Sequence, residues 1–467
     1  MSRVATQLIS WSVTVLTARL LMPDDYGLVA LAALFVGYVL FLGDLGLGAA
    51  LVQSTAIDDA DVRIIDSSIV LLGCMATVVL ILSAPMLAAV VGEPRIVGLA
   101  SFYAWLCVLV STCVVPNALL MREMRFELLA KVAVASVLVQ SATTLVLAYL
   151  GYGPWSLVLG TAASTVVQAV ALRAATGQWT FARPRLDRLR VYLDFSRWVV
   201  GQRTVWYWYS NSDTAIVGKV LGSHLLGAFS MAKQLAVLPA DKVMGPLNQI
   251  ALPAFSRIQS EPELLSRHYL KMIRLSSLYA FPAFWGLAAI GPDLVDLLLG
   301  PKWHQVGQIL PILCVALPTR ILSSLTSTSL ISVGRPDFAF RLTLPAIVIV
   351  PIAVLIGSLF GLVMLAASWA AAMAVVSAYF LARAARHLGV SRLQIARAAR
   401  TSALAAAFMA FSLWAVHVLI ASILSPATIV LLCVPIGVGV YVATVALLDR
   451  NLFLEARVFV WQALRPG

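Results

Sequence analysis

Apolar runs of eighteen or more residues recur along almost the whole chain, broken by short polar segments. Fourteen stand out, at about 4–21, 26–51, 66–91, 96–120, 128–150, 154–174, 195–217, 225–252, 275–299, 306–333, 342–359, 362–381, 402–423 and 426–448. Each is long enough to cross a hydrocarbon core of about 30 Å as a helix. Each must be helical, because lipid offers no partner to a bare backbone. The runs are continuous, with none of the strict alternation of an outer-membrane barrel strand. The pattern therefore predicts an all-α polytopic membrane protein with about 14 transmembrane helices. The first run is the weakest, being short and carrying Gln7, Ser10, Ser12 and Thr14. The segment 450–467 mixes apolar and basic residues at near-helical spacing and is expected to form a cytoplasmic amphipathic tail on the membrane surface.

Composition agrees. Apolar residues make up 61% of the 467 and charged residues only 12%, about half the ~25% of an ordinary soluble domain. Mean hydropathy is +0.94. A soluble enzyme, a disordered chain and a disulfide scaffold are excluded. The net charge of +12 would suggest nucleic acid in a soluble protein; in a membrane chain it points to basic cytoplasmic loops. The loops after even-numbered spans do carry the charge, in groups such as Arg122/Arg125/Lys131, Arg183/Arg185/Arg188/Arg190 and Arg383/Arg386/Arg392/Arg397/Arg400. The alternate loops hold little beyond Arg19, Arg95, Lys219 and Lys302. This asymmetry places both termini in the cytoplasm. No loop is long enough for a soluble catalytic domain, and no cleavable signal peptide is visible. The five cysteines lie in apolar runs without metal or disulfide spacing and are expected in the core.

The long basic segment 175–194 divides a partial repeat. At an offset of 200, Arg3 meets Arg203, Ser10 meets Ser210, Thr14 meets Thr214, Arg19 meets Lys219 and Gly27 meets Gly227. The offset then drifts to about 207: Ser67-Ser68 meets Ser276-Ser277, Gly92 meets Gly300, Leu106-Cys107-Val108 meets Leu313-Cys314-Val315 and Gly151 meets Gly357. Two six-helix halves of the same orientation follow, residues 1–174 and 195–386, with a basic cytoplasmic linker at 175–194. The two helices in 387–449 lie outside the repeat. Parallel repeats of this kind imply a substrate site between the halves.

Polar groups within spans are costly and mark cavities or partners. Arg203, Trp206, Tyr207, Ser210 and Asp213 fall within about 120° of a helical wheel, a stripe roughly 15 Å long. Arg203 and Asp213 are too far apart on it to pair with each other. Lys233, Gln234, Asp241 and Asn248 share an arc of about 100° on the next span. Lys233 is expected either to pair structurally with Asp213 or Asp241, or to face a cavity. The first span adds Gln7, Ser10, Trp11, Thr14 and Thr17, the second adds Asp44, and Arg320 stands alone in the tenth. Fixed cations in a low-dielectric cleft favour an anion such as a pyrophosphate. Indole and phenol faces suit sugar rings. Arg203, Lys233, Arg320, Trp206, Tyr207, Gln7 and Asn248 are thus the candidate substrate-binding residues. Asp44, Asp213 and Asp241 are candidates for H⁺ or Na⁺ coupling. His417 reads as a packing histidine, and Asp59-Ala60-Asp61 as a chance D-x-D. No metal site, cofactor motif or Walker loop is found.

ARLLMPDDYGLVA (18–30) followed by GDLGLGAALVQ (43–53) resembles the start of bacterial Wzx-type polysaccharide flippases. SDTAIVGKVLGSHLLGAFSMAKQLAVLP (212–239), LPAFSRIQSEPELL (252–265), LLLGPKW (297–303) and VGRPDF (333–338) extend the resemblance over nearly the whole chain. That family lies in the multidrug/oligosaccharidyl-lipid/polysaccharide exporter superfamily. The resemblance implies two six-helix lobes around a central V-shaped cavity, plus two extra helices. It also implies a flippase, not an enzyme, that moves undecaprenyl-pyrophosphate-linked oligosaccharide repeat units across the inner membrane by alternating access. Its product would feed exopolysaccharide or lipopolysaccharide assembly. Expected partners are the lipid-linked oligosaccharide, membrane lipids, polysaccharide polymerase and chain-length proteins, with no nucleic acid. By the same resemblance Arg203, Lys233 and Arg320 meet the pyrophosphate and sugar acids. Family members usually carry a longer segment before the first span. The alternatives are a cation-coupled multidrug exporter of the same superfamily, which would show more carboxylates, and a membrane-embedded polysaccharide polymerase or ligase, which would need a large outer loop.

Overall fold

The computed structural model describes residues 2–42, 51, 58–177, 204, 207–208, 210–239, 255, 258, 261–420 and 423–455; of 2–9, 39–42 and 59 it describes the backbone only. Among these residues every regular element is a helix. They are α1 (Ser2–Leu20), α2 (Pro23–Leu42), α3 (Asp59–Val91), α4 (Ile96–Arg122), α5 (Phe126–Tyr149) and α6 (Pro154–Thr176). Then follow α7 (Ser210–Pro239), α8 (Pro262–Leu298), α9 (His304–Ser332), α10 (Pro336–Ser358), α11 (Leu362–Ala384), α12 (Arg392–Ile420) and α13 (Pro426–Leu448). Eleven of these are long and apolar enough to cross a membrane, and the pair Ser10–Leu20 and Pro23–Tyr38, bent by 119°, raises the number to twelve if it makes one span.

The described parts of the expected seventh and eighth spans are the two arms of α7, which is interrupted at Gly222. Gly222 has φ +81, a value that a continuing right-handed helix does not allow. Leu226 also reaches within 3.2 Å of the Cβ position of Gly218. Residues eight apart on a straight helix are about 12 Å apart along the axis, so the chain turns back here. The expected eighth span beyond Pro239 lies outside the described residues.

The chain divides into two compact units, Met1–Ser230 and Met231–Gly467. In the first, α3 packs on α4, α5 on α6, and α4 on α6. In the second, α8 packs on α9, α10 on α11, and α9 on α11. The same four-helix pattern is thus built twice, in the order the sequence repeat lays it down. The turns repeat too. Gly92 after α3 and Gly300 after α8 have φ +83 and +90, and Gly153 before α6 and Gly361 before α11 have +55 and +95. Met124 after α4 and Gly334 after α9 have +56 and +77. One expected pairing changes: the turn partner of the second lobe is Gly361, not Gly357. Gly357 lies inside α10, where any Cβ would overlap the Ser368 hydroxyl.

The second unit adds α12 and α13, which pack on α8 and on each other. Their shared core includes Tyr269, Ile273, Phe281, Ala405, Met409, Leu413, Cys433 and Tyr441. Polar side chains fasten these helices. Tyr269 and Thr326 share a buried hydroxyl bond of 2.8 Å, and Tyr441 donates to the Leu278 carbonyl at 2.9 Å. Four cysteines are buried, as expected, but Cys74 is exposed on α3. In lipid the outward positions stay apolar, so residue type alone does not report burial.

Candidate functional site

Part of the polar stripe expected at 203–213 is described, and α2 helps build it. The Tyr207 ring lies 5.4 Å from that of Tyr38, and Tyr38 lies 5.7 Å from Trp208. The Tyr207 hydroxyl donates to the Leu34 carbonyl, and Thr204 Oγ1 lies 3.4 Å from the Tyr38 hydroxyl. A Cβ at Gly37 would stand 2.7 Å from the Tyr207 hydroxyl, so glycine is what lets the ring approach α2. Tyr207 is buried, while Trp208 stays 43% exposed. Tyr38 and Trp208 escape a helical-wheel reading: one lies on another helix and the other about 100° outside the arc of the stripe.

Asp213 is buried on α7, one carboxylate oxygen accepting the Thr214 backbone N–H at 2.8 Å and lying 3.4 Å from its hydroxyl. Lys233, further along α7, is half-buried. Arg320 is half-buried on α9. Its guanidinium makes no hydrogen bond or ion pair among the described residues, although its carbonyl accepts the Ser323 hydroxyl at 2.8 Å. Pro311 and Pro318 interrupt the backbone ladder of α9 on the approach to it. Of Gln7 only the helical backbone is described. Asp44, Arg203, Trp206, Asp241 and Asn248 lie outside the described residues. The site residues are therefore placed singly, except for Tyr207 with its aromatic neighbours.

A second polar cluster gathers at helix ends of the first unit. Asp24 Oδ2 accepts from Arg95 Nη1 at 2.7 Å and Asp24 Oδ1 accepts from the Ser223 hydroxyl. Arg95 also clasps Glu93 through two bonds of 2.7 and 2.9 Å, and Lys219 donates to the Val90 carbonyl. The hydrogen bond from Arg95 holds the Glu93 carboxyl below its ordinary range. Two of the few cations on the sparsely charged side are thus clips between helix ends. Beside them the helices cross at reciprocal glycines. A Cβ on Gly27 would overlap the Ser223 carbonyl, and one on Gly227 would overlap the Pro23 carbonyl. Gly27 and Gly227, and Pro23 and Ser223, are each 200 residues apart, the offset of the internal repeat.

Two pairings of ionisable side chains were not foreseen from sequence. Asp66 on α3 and Arg173 on α6 join through two bonds of 3.0 and 3.1 Å, with side chains 0% and 5% exposed. Asp293 on α8 and His417 on α12 lie 3.0 Å apart, without the angle of a completed hydrogen bond. His417 therefore stands against a carboxylate on the neighbouring helix, which the packing reading did not include. No three His, Cys, Asp or Glu side chains among the described residues converge as a metal site.

Known proteins resemble this chain in sequence and in fold. The lipopolysaccharide biosynthesis protein WzxC of Escherichia coli (strain K12) is 24% identical over 343 residues, covering 71% of this chain and 69% of that one. A structure of the lipid II flippase MurJ in an inward closed conformation superposes with a TM-score of 0.77 at 13% identity, covering 97% of this chain and 98% of that one. An inward-facing multidrug resistance MATE transporter of the MOP superfamily reaches 0.67 at 16% identity, covering 85% and 96%. At such identities these structures establish the fold alone, and the fold is common to lipid flippases and drug exporters. Sequence decides between them: residues 16–308 match the model of the polysaccharide biosynthesis protein family, and the chain belongs to that family.

Proposed function

We propose that the protein flips undecaprenyl-pyrophosphate-linked oligosaccharide repeat units from the inner to the outer leaflet of the bacterial inner membrane, for exopolysaccharide or lipopolysaccharide assembly. Family membership and the fold shared with a lipid flippase support this reading. The observation that carries it on the chain itself is Arg320: a half-buried guanidinium in an apolar helix, with no counter-ion among the described residues. A permanent cation at that depth is costly unless an anion visits it. A pyrophosphate or a sugar acid is such an anion, and a planar guanidinium binds either through paired bonds. The uncatalysed flip is slow because a charged, hydroxyl-rich head must shed its water. Fixed cations and dipoles along the path replace that water.

In this reading Arg203 and Lys233 are further cations for the anion. Trp206, Gln7 and Asn248 meet the sugars, and Tyr207 acts through the neighbouring Tyr38 and Trp208. Asp44, Asp213 and Asp241 carry the coupling H⁺ or Na⁺. The arginine-rich loops, and with them both termini, face the cytoplasm. The polymerase and chain-length proteins take the product on the other side. A multidrug exporter handling organic cations would be repelled by the same arginine.

The test is the leaflet location of the lipid-linked repeat unit, measured by accessibility to a membrane-impermeant sugar oxidant in spheroplasts. Cells with Arg320→Ala at wild-type protein level should hold the intermediate on the cytoplasmic side, and Arg320→Lys should restore part of the flow. Full outer-leaflet exposure with Arg320→Ala would remove the cationic-site reading. Outer-leaflet exposure in cells lacking the protein altogether would remove the flippase reading.

A further inference from the structure

From Phe338 to Leu448 the chain contains no aspartate or glutamate. Within that stretch Arg383, Arg386, Arg392, Arg397 and Arg400 crowd the elbow between α11 and α12. The elbow is tight. A 3-10 turn, Ala385–Leu388, ends at Gly389 with φ +67. Arg392 Nε then reaches back to the Ala382 carbonyl at 3.2 Å. The Arg383 guanidinium lies 5.8 Å from the Tyr379 ring centroid. All five arginines are exposed, and none makes an ion pair among the described residues. The carboxylates that follow on this side are engaged elsewhere: Arg274 takes Asp449 at 2.8 Å and Glu455 at 3.6 Å. Asp337 precedes Phe338, whose ring lies 3.8 Å from that of His387, yet it pairs with none of the five.

The surface beneath these charges is apolar. Leu393, Arg397, Arg400, Leu404, Phe408 and Phe411 recur every three or four residues and so share one face of α12. Its four apolar members are each more than half exposed. Arg400 and Phe411 are about 16 Å apart along the helix. A soluble anion or an acidic peptide would satisfy the arginines and leave that stripe uncovered. A molecule with a phosphate head and acyl chains satisfies both.

We propose that the α11–α12 elbow is a binding site for anionic phospholipid, with Arg397 and Arg400 holding the phosphate and Leu404, Phe408 and Phe411 lying along the acyl chains. Arg386 and Arg392 extend the positive surface for a second headgroup. The site rests on the membrane reading of the chain and not on its substrate. A positive loop that serves only to orient the chain would show no lipid preference once the protein is inserted.

The experiment uses full-length protein purified in mild detergent. Retention of phosphatidylglycerol and of phosphatidylethanolamine is compared by native mass spectrometry, with undecaprenyl phosphate as a third arm. Wild-type protein should retain phosphatidylglycerol over phosphatidylethanolamine by at least tenfold. Each arginine near the surface contributes about a fivefold gain, so Arg397→Gln/Arg400→Gln should lose more than tenfold. Arg397→Lys/Arg400→Lys should retain most of the preference. Topology, read from reporter fusions, should not change. Equal retention of the two phospholipids by wild-type protein overturns the proposal, whether or not the variants fold. So does undecaprenyl phosphate binding at the elbow with no phosphatidylglycerol preference.

Discussion

Replacing Gly27 by alanine tests whether the reciprocal helix crossing holds the first unit together. Alanine in a helix interior normally stabilises by up to about 1 kcal/mol over glycine. Gly439 on α13 shows the unopposed case, since a Cβ there meets nothing within 4 Å. Gly439→Ala is therefore expected to be neutral or stabilising by that amount. At Gly27 the added methyl overlaps the backbone carbonyl of Ser223, which has no rotamer to change. Overpacking of this kind costs about 1–3 kcal/mol, and a rigid backbone obstacle puts Gly27 at the upper end. The expected net loss is about 2 kcal/mol, and Gly227→Ala against the Pro23 carbonyl should match it. Because the two glycines open the same crossing, the double variant should cost less than the sum of the singles. Unfolding of purified protein in detergent measures the stabilities, and surface polysaccharide at matched protein level measures the function. Equal behaviour of Gly27→Ala and Gly439→Ala would show that the helices do not meet as described.

Three further expectations concern the same unit. Asp66→Asn takes the carboxylate away from the buried Arg173 guanidinium and should cost about 3–5 kcal/mol, while Asp66→Leu/Arg173→Met should recover most of it; unfolding in detergent checks both, and a double variant as unstable as the single would refute the pairing. Met124→Gly should stabilise by about 1 kcal/mol, because an exposed methionine gives up a left-handed φ of +56 that glycine adopts freely; the same melts decide it. For the Glu93–Arg95 clasp, the folded carboxyl titrates lower than the unfolded one. Its stabilisation is thus fully present above the ordinary carboxylate pKa of about 4.3 and lost as pH falls through the folded value. Melting curves of wild type and Glu93→Gln should differ at pH 7 and draw together as pH falls below the ordinary carboxylate range, and a gap that stays constant with pH would refute the assignment.

Sequence made the helices legible because lipid demands long apolar helices and little else. The repeat was legible where a turn forces a residue type, as at Gly92 and Gly300. It was misread where apolar helices carry no register, as at Gly357. Which side of a helix faces inward was not legible: outward positions on these helices are as apolar as inward ones, so Cys74 looked like a core residue. Long-range partners were hidden for the same reason. Asp66 and Arg173 are 107 residues apart, and Asp293 and His417 lie near the ends of helices with no periodic signal to join them. Of the candidate site, the apparent stripe of Tyr207 was readable, but not that α2 supplies Gly37 and Tyr38 to receive it. Intramembrane charge thus divides into two kinds that sequence alone presents alike. Asp66 with Arg173 is matched within a unit and acts as a fastener. Arg320 has no such partner among the described residues, and an unmatched cation inside an apolar helix is the kind that a travelling anion explains.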